Sequence, residues 1–192
     1  MIEILWQGGA AIKIKTKDQT IILNPVDPAG ANLLIFTREV KNFTAAEDQF
    51  VIDSPGEYEV KGNMVYSLIS QNGVIARANQ MIVDDIFLFY CDNFDFVPTK
   101  DQLDDMGTID IAFIPVSAEK ELEKKALKLI EAIEPRVIIP IIADKDTAEG
   151  VCLDLAKKLG LKCEAPVGSY KLKSRAQLPE ETQEYVALEK KV

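Results

Sequence analysis

The residues best suited to chemistry follow directly after the predicted strand Ile86–Tyr90. They are Cys91, Asp92, Asn93 and Asp95. These acids and the amide offer the oxygen ligands that hard cations prefer, but calcium takes about six to eight such ligands and this short segment supplies too few. A solvated turn, or an ion pair between Asp92 and Arg38, accounts for the same residues. We therefore favour the turn or the ion pair over a metal ion.

Cys91 is the one possible nucleophile in this segment. Only the thiolate form of cysteine reacts readily, so the side chain needs a neighbouring base or cation. The chain contains no histidine, which leaves Arg38 or a lysine as the only activating groups. Packing of a small apolar side chain at the end of a buried strand is the simpler interpretation, and it is the one we favour.

The missing histidine also excludes whole classes of enzyme. Hydrolases built on Ser-His-Asp or Cys-His, and zinc sites with histidine ligands, need an imidazole that this chain of 192 residues does not have. The three cysteines have no CxxC spacing, so they indicate neither a disulfide framework nor a thiolate zinc site. We expect free thiols and a cytoplasmic protein.

Charge and hydropathy exclude further partners. The chain carries 22 Lys and Arg against 31 Asp and Glu, a formal charge of -9, which disfavours binding to nucleic acid or to an anionic membrane. Its longest apolar runs are far shorter than the roughly 20 residues that cross a bilayer. We therefore expect neither nucleic acid nor a membrane as a partner.

The elements that must position these residues change in type along the chain. Up to Tyr90, short runs with period-two alternation are separated by turns rich in glycine, proline and asparagine, which predicts successive β-strands. Beyond that point strands and helices alternate. We expect one domain over residues 1–192, of mixed α/β (α+β) class, with two sheets packed face to face and helices outside.

Several local predictions follow from the same patterns. Residues 74–78 and 81–83 are predicted as separate strands, and 162–164 as a further strand. Thr99 with Gln102 forms a capping box for a short helix that ends at Gly107. Ser117 and Thr147 are expected to open the two later helices.

Segments spread over most of the chain have a distinctive order and spacing. They are WQGGA at 6–10, Asn24-Pro25, DSPGEYEVKG at 53–62, and the block 89–116. Together they resemble the metallo-β-lactamase superfamily, in particular its small lactonase-like metal-dependent hydrolases. The resemblance implies a four-layer αββα sandwich and, in the active members, a zinc or manganese site that performs hydrolysis.

The same resemblance implies that the metal site is lost. Where the family has T-H-x-H-x-D-H, this chain reads TREVKNF at 37–43, and further family ligands are replaced in the first loop and at later positions. The substituted positions are Gly9, Asn24, Arg38, Val40, Asn42, Phe43 and Ile142. Only Asp92 matches a family ligand. A two-metal site needs several imidazoles and a bridging carboxylate, and a guanidinium repels the cation.

We therefore predict a non-catalytic member of this superfamily that acts as a binding or interaction module, with no metal cofactor. Its vacated pocket, lined by Arg38, Asn42 and Asp92 with Trp6 and Phe43 nearby, would accept a small anion or a side chain of a protein partner. Two alternatives stay open: a residual lactonase- or esterase-type hydrolase that uses a weakly bound, oxygen-liganded metal or Cys91, and a subunit of a homo- or hetero-oligomer.

Overall fold

Two β-sheets face each other at the centre of the molecule in a computed structural model that describes residues 1–38, 43–70, 76–142 and 148–191. The strands, in chain order, are β1 (Ile2–Gly8), β2 (Ala11–Lys15), β3 (Thr20–Leu23), β4 (Leu33–Ile35), β5 (Phe50–Ile52), β6 (Gly56–Val60), β7 (Asn63–Ile69), β8 (Arg77–Val83), β9 (Ile86–Tyr90), β10 (Ile111–Val116), β11 (Val137–Ile142), β12 (Tyr170–Leu172) and β13 (Glu184–Tyr185). The helices are α1 (Lys100–Met106), α2 (Lys120–Ile133) and α3 (Ala148–Lys158), with a short 3-10 helix at Arg175–Gln177.

The two sheets differ in how their strands pair. The first sheet has the order β12-β1-β2-β3-β4-β5 and becomes parallel from β3 to β5. The second has the order β13-β11-β10-β9-β8-β7-β6; it is antiparallel from β6 to β9 and parallel from β9 to β13. The helices fall in the parallel half, where a crossover connection is needed. This arrangement confirms the predicted mixed class and the two face-to-face sheets.

Burial explains why the strands have these sequences. In β2, Ile12 and Ile14 are buried, whereas Lys15 is exposed, so the strand turns one apolar face to the core. In β10 all six residues are buried, because the other sheet covers one face and the helices cover the other. The core between the sheets is rich in isoleucine and leucine, and a second core joins the second sheet to α1, α2 and α3. Within the described residues, a small cluster around Phe36 covers the outer face of the first sheet.

The helix boundaries agree with the sequence in one case and differ in another. Thr99 caps α1 through the predicted capping box with Gln102, and α1 ends at Gly107. The prediction for Ser117 was wrong: its hydroxyl accepts a hydrogen bond from the Glu119 backbone N–H at 3.1 Å, and α2 begins two residues later than such a cap would place it. The predicted helix start at Thr147 lies outside the described residues. In the part of the chain that the structure describes, none of the helices has the length and apolar character of a membrane span.

Two strand predictions need correction. β8 is one continuous strand over Arg77–Val83, although the polar pair Asn79-Gln80 indicated a break. Both polar side chains are buried: Asn79 faces the core between the sheets, and Gln80 faces the helices and donates to the Met106 carbonyl at 2.8 Å. The strand predicted at 162–164 is reduced to an isolated bridge between Cys163 and Tyr185.

A buried carboxylate fastens the C-terminal part of the chain to the second sheet. Asp110 is fully buried just before β10, and its Oδ2 lies 2.9 Å from Arg175 Nε. The same oxygen accepts the Phe87 backbone N–H at 3.0 Å, and Arg136 lies 3.5 Å from the other oxygen. The Arg175 guanidinium also lies over the Phe87 ring, 4.8 Å from its centroid. This ion-pair cluster lies where β9 and β10 begin, at the opposite end of these strands from Asp92.

Candidate functional site

The side chains of interest meet at one edge of the sandwich, where strands of both sheets end. Asn24 directly follows β3, and Thr37 lies two residues after β4, which runs parallel to β3. Asp92 lies two residues after β9 of the second sheet. Because parallel strands end at the same edge of a sheet, the chain places these polar groups together although they are far apart in sequence.

Asn24 is the centre of a hydrogen-bond network at this edge. Its Oδ1 accepts the Thr37 backbone N–H at 3.1 Å and the Thr37 hydroxyl at 3.3 Å. Its Nδ2 lies 2.9 Å from Thr37 Oγ1, 2.8 Å from the Tyr90 hydroxyl and 3.0 Å from Asp92 Oδ2, so two amide hydrogens serve three acceptors. Asn24 has φ of 44°, a left-handed conformation in which asparagine is enriched. The side chain thereby joins residues of both sheets.

Tyr90 carries this network to the first loop. Its hydroxyl donates to the Ala10 carbonyl at 2.5 Å while it accepts from Asn24 Nδ2. Burial raises the pKa of the Tyr90 hydroxyl well above its ordinary value, and the negative charge of Asp92 raises it further. The hydroxyl is therefore a neutral donor at physiological pH and cannot serve as a base there. Its role is to tie the second sheet to the turn between β1 and β2.

Asp92 and Arg38 form the ion pair that the sequence suggested. Arg38 Nη2 lies 3.8 Å from Asp92 Oδ2; the arginine side chain is 71% exposed and the aspartate side chain 13%. Such a long and exposed pair contributes about 0–1 kcal/mol to stability. Two of the three predicted pocket residues are thus brought together. The third, Asn42, lies outside the described residues, as does Val40.

The two aromatic residues expected beside the vacated pocket have other roles. Trp6 donates its Nε1 hydrogen to the Gly9 carbonyl at 2.9 Å and so fixes the first loop. Gly9 has φ of 56°, so the backbone of a histidine at this position would be strained. Phe43 packs edge-on against Phe36 at 5.2 Å between ring centroids, in the cluster outside the first sheet. Phe43 is therefore part of that cluster, and its position near the predicted pocket stays a prediction.

Cys91 faces away from this edge. It is fully buried in the core between the second sheet and the helices, and its thiol donates to the Asn93 carbonyl with an S···O distance of 3.1 Å. Burial raises the pKa of the Cys91 thiol to about 12. The structure therefore contradicts the alternative in which Cys91 is a nucleophile, and supports the packing interpretation.

The other two polar residues of the segment, Asn93 and Asp95, do not converge on Asp92. The Asp95 carboxylate lies 2.6 Å from Lys125 of α2, and the Asn93 side-chain oxygen accepts the Asp95 backbone N–H at 2.9 Å. These contacts are those of a turn joined to a helix, as the sequence favoured.

The groups present do not fit the metal that the family resemblance implies. A cation needs free oxygen lone pairs, but Asp92 faces the Asn24 amide and the Arg38 guanidinium, which are both donors. Within the described residues, no group of three or more His, Cys, Asp or Glu side chains is placed to hold a metal ion. We accordingly derive no hydrolytic step at this site.

The role of Tyr90 was not predicted from the sequence, where this residue stood only as the end of a strand. A tyrosine in a buried strand needs a partner for its hydroxyl. That need, together with its position two residues before Asp92, was the available signal. Asn24 was noted as a substituted ligand, but its bonds to Thr37 and Tyr90 were not foreseen.

Comparison with known proteins places this architecture in a family. A family model described as the beta-lactamase superfamily domain matches residues 3–142. No protein with a curated description matches the chain. A Thermotoga maritima protein of the metallo-β-lactamase superfamily has a TM-score of 0.77 at 19% identity, over 98% of this chain and 99% of that chain.

More distant structures share the fold. Igni18, a metallo hydrolase from Ignicoccus hospitalis, has a TM-score of 0.59 at 11% identity, over 90% of this chain and 99% of that chain. YhfI of Bacillus subtilis, a metallo-β-lactamase fold protein, has a TM-score of 0.61 at 6% identity, over 81% of this chain and 92% of that chain. At such identities the likeness concerns the fold alone. With the family model matching most of its length, the chain belongs to the metallo-β-lactamase superfamily.

Proposed function

We propose that this chain is a non-catalytic member of its superfamily that binds a small anion, or an acidic side chain of a partner, at the vacated pocket. The observation that carries the proposal is the set of groups that surround the Asp92 carboxylate. Asp92 Oδ2 accepts from Asn24 Nδ2 at 3.0 Å and faces the Arg38 guanidinium at 3.8 Å, so the groups around this oxygen are donors and not further ligands for a cation. A superfamily member in this condition keeps the scaffold and loses the hydrolysis.

Arg38 supports an anionic ligand. Its side chain is mostly exposed, and the contact to Asp92 is long at 3.8 Å, so it leaves the guanidinium little constrained. A planar guanidinium presents several donors that match the oxygens of a carboxylate or a phosphate. The net charge of -9 works against general attraction of anions, so binding depends on this local geometry.

Metal content tests the non-catalytic part of the proposal. We expect the purified chain to contain zinc and manganese well below one ion per molecule by mass spectrometry, and isothermal titration with either ion to show no tight binding. Asp92→Asn serves as the control, because it removes the only family ligand that the chain keeps. Stoichiometric tight binding that disappears in Asp92→Asn would refute the proposal, as would lactone or ester turnover with the same dependence.

Anion binding tests the second part. We expect inorganic phosphate and acetate to raise the melting temperature of the wild-type chain, and Arg38→Gln to abolish this shift. Lys17→Gln is the matched control, because it removes one positive charge from an exposed turn between β2 and β3. Equal loss in both variants would contradict a local site and would assign the shift to overall charge.

The proposal also includes a cytoplasmic location and association of the chain with itself or with another protein. Free Cys91, Cys152 and Cys163, of which the first two are buried, are consistent with a reducing cytoplasm. Association with itself or with another protein stays a prediction, and light scattering of the purified chain measures the first of these.

A further inference from the structure

Two polar residues lie between the sheets beside the network of Tyr90. In the strand pairing, Ser67 of β7 stands opposite Asn79 of β8, and Asn79 stands opposite Tyr90 of β9. Residues directly opposite each other point to the same face of a sheet. Tyr90 belongs to the core between the sheets, so Ser67 and Asn79 face that core as well. Alternation agrees, because Val65 and Met81, each two residues away, belong to the same core.

The polar atoms of these two side chains are unpaired. Asn79 is 0% exposed and Ser67 5%. Within the described residues, neither Nδ2 nor Oδ1 of Asn79 has a hydrogen-bond partner, and Ser67 Oγ has none either. The neighbouring Gln80 shows the contrast: it faces the opposite side of the sheet and donates to the Met106 carbonyl at 2.8 Å. Buried polar groups in folded proteins are nearly always satisfied, so an occupant is required at Asn79.

We propose that Asn79 and Ser67 form an internal binding site for one water molecule between the two sheets. Asn79 needs a donor for its oxygen and an acceptor for its amide hydrogens, and the serine hydroxyl can do either. A water molecule supplies both functions and makes about two to four hydrogen bonds when buried. Side chains directly opposite each other on neighbouring strands have Cβ atoms about 4.5–5.5 Å apart, a distance that one water can bridge.

The surroundings favour a neutral occupant over an ion. Ser67 and Asn79 carry no charge, and Val65 and Met81 beside them on the same face are apolar. Arg77, two residues before Asn79, directs its Nη1 to the Asp53 carbonyl. An ion would therefore be buried without a compensating charge, which is costly.

The water site has a consequence for the edge described above. The bound water lies on the same face of the sheet as Ser67, Asn79 and Tyr90, which stand opposite one another on neighbouring strands. The Tyr90 hydroxyl in turn contacts Asn24 and Ala10. The bound water also explains why Asn79 can stand in the middle of a buried strand. The inference does not depend on anion binding at Arg38.

Nuclear magnetic resonance of the full isotopically labelled chain tests the site. We expect cross-peaks between water and the Asn79 side-chain amide hydrogens, with the sign of a long-lived water. Asn63 is the matched control: it is also buried, but its Nδ2 donates to Gln19 Oε1 at 2.7 Å and lies 3.2 Å from the Val60 carbonyl, so no such cross-peak is expected.

Ser67→Ala removes the serine hydroxyl, whose hydrogen exchanges with solvent and could produce a water cross-peak indirectly. An Asn79 cross-peak that persists in this variant comes from bound water itself and supports the site, whereas absence of the cross-peak in the wild-type chain overturns the proposal. A crystal structure of the wild-type chain gives an independent answer. Density for a water within hydrogen-bond distance of Asn79 and Ser67 supports the site; a direct Asn79–Ser67 bond, or density for a larger molecule, overturns it.

Discussion

Replacing Tyr90 by phenylalanine tests whether the network around Asn24 holds the two sheets together. The substitution removes only the hydroxyl, which donates to the Ala10 carbonyl at 2.5 Å and accepts from Asn24 Nδ2 at 2.8 Å. Asn24 keeps Thr37 and Asp92 as acceptors, so the Ala10 carbonyl is the one group left without its donor. A lost hydrogen bond costs about 0.5–1.5 kcal/mol and an unsatisfied buried carbonyl about 1–3 kcal/mol. Because Ala10 is only half-buried, we expect a loss of about 2 kcal/mol in the free energy of unfolding.

The pH dependence gives this prediction a second readout. Burial raises the pKa of Tyr90 above the ordinary tyrosine value, so its contribution to stability is complete below about pH 10 and is lost as the pH rises towards the value in the folded state. Tyr90→Phe has no such loss. The difference in the free energy of unfolding between the wild-type chain and Tyr90→Phe is therefore constant near neutral pH. Above about pH 10 this difference narrows, by at most ~1.4 kcal/mol per pH unit.

Urea unfolding followed by circular dichroism, at pH 7.5 and between pH 9 and 11, measures both effects. Tyr66→Phe is the matched control, because Tyr66 lies half-buried in β7 and its hydroxyl has no hydrogen bond to the described residues. We expect this variant to unfold within about 0.5 kcal/mol of the wild-type chain. The reasoning is refuted if Tyr90→Phe is as stable as Tyr66→Phe at pH 7.5, or if its deficit stays constant through pH 11.

Four further outcomes follow from the structure. Asp110→Asn weakens the pairing of a fully buried carboxylate with two partly exposed arginines, so urea unfolding will show a loss of about 2–3 kcal/mol. Cys91, fully buried with a thiol pKa of about 12, will resist a thiol-specific reagent at pH 8 until the chain is unfolded, and fast labelling in the native state would contradict its burial. Arg38→Gln will change the unfolding free energy by less than about 1 kcal/mol, because the ion pair is long and exposed. Asn24→Asp places a carboxylate where an amide now donates to Asp92 at 3.0 Å, so unfolding measurements will show a deficit at pH 7.5 that shrinks at pH 4, where protonation relieves the repulsion.

Local sequence patterns predicted much of the fold because they depend on near neighbours. The alternation in β2, the apolar run of β10 and the capping box at Thr99 each reflect contacts within a few residues or the burial of one face. β8 could not be predicted as one strand, because Asn79 and Gln80 interrupt its apolar pattern, and both are buried only because the other sheet and α1 cover the two faces of the second sheet. Period-two patterning has no means of anticipating that.

The site was predictable only as far as the family pattern reached. Matching of motifs pointed to Arg38 and Asp92, and the structure brings them together. The bonds made by Asn24 could not be predicted, because its partners Tyr90 and Asp92 lie 66 and 68 residues away and meet it only when the sheets pack. The orientation of Cys91 depends likewise on which face of β9 turns to the helices.

Two of the residues that stand, by resemblance, at metal-ligand positions of the family are complementary in their chemistry. By resemblance to the family, Asn24 stands for an aspartate and Arg38 for a histidine, and each change replaces a group that would contact a cation with one that donates hydrogen bonds. Both donors are directed at Asp92, the family ligand that remains. The Asp92 side chain is 13% exposed, so the hydrogen bond from the Asn24 amide offsets part of the cost of burying its charge, and the long contact to Arg38 adds little. Asp92, which follows β9 of the second sheet, accepts a hydrogen bond from Asn24 of the first sheet and so links the two sheets at the edge where both end.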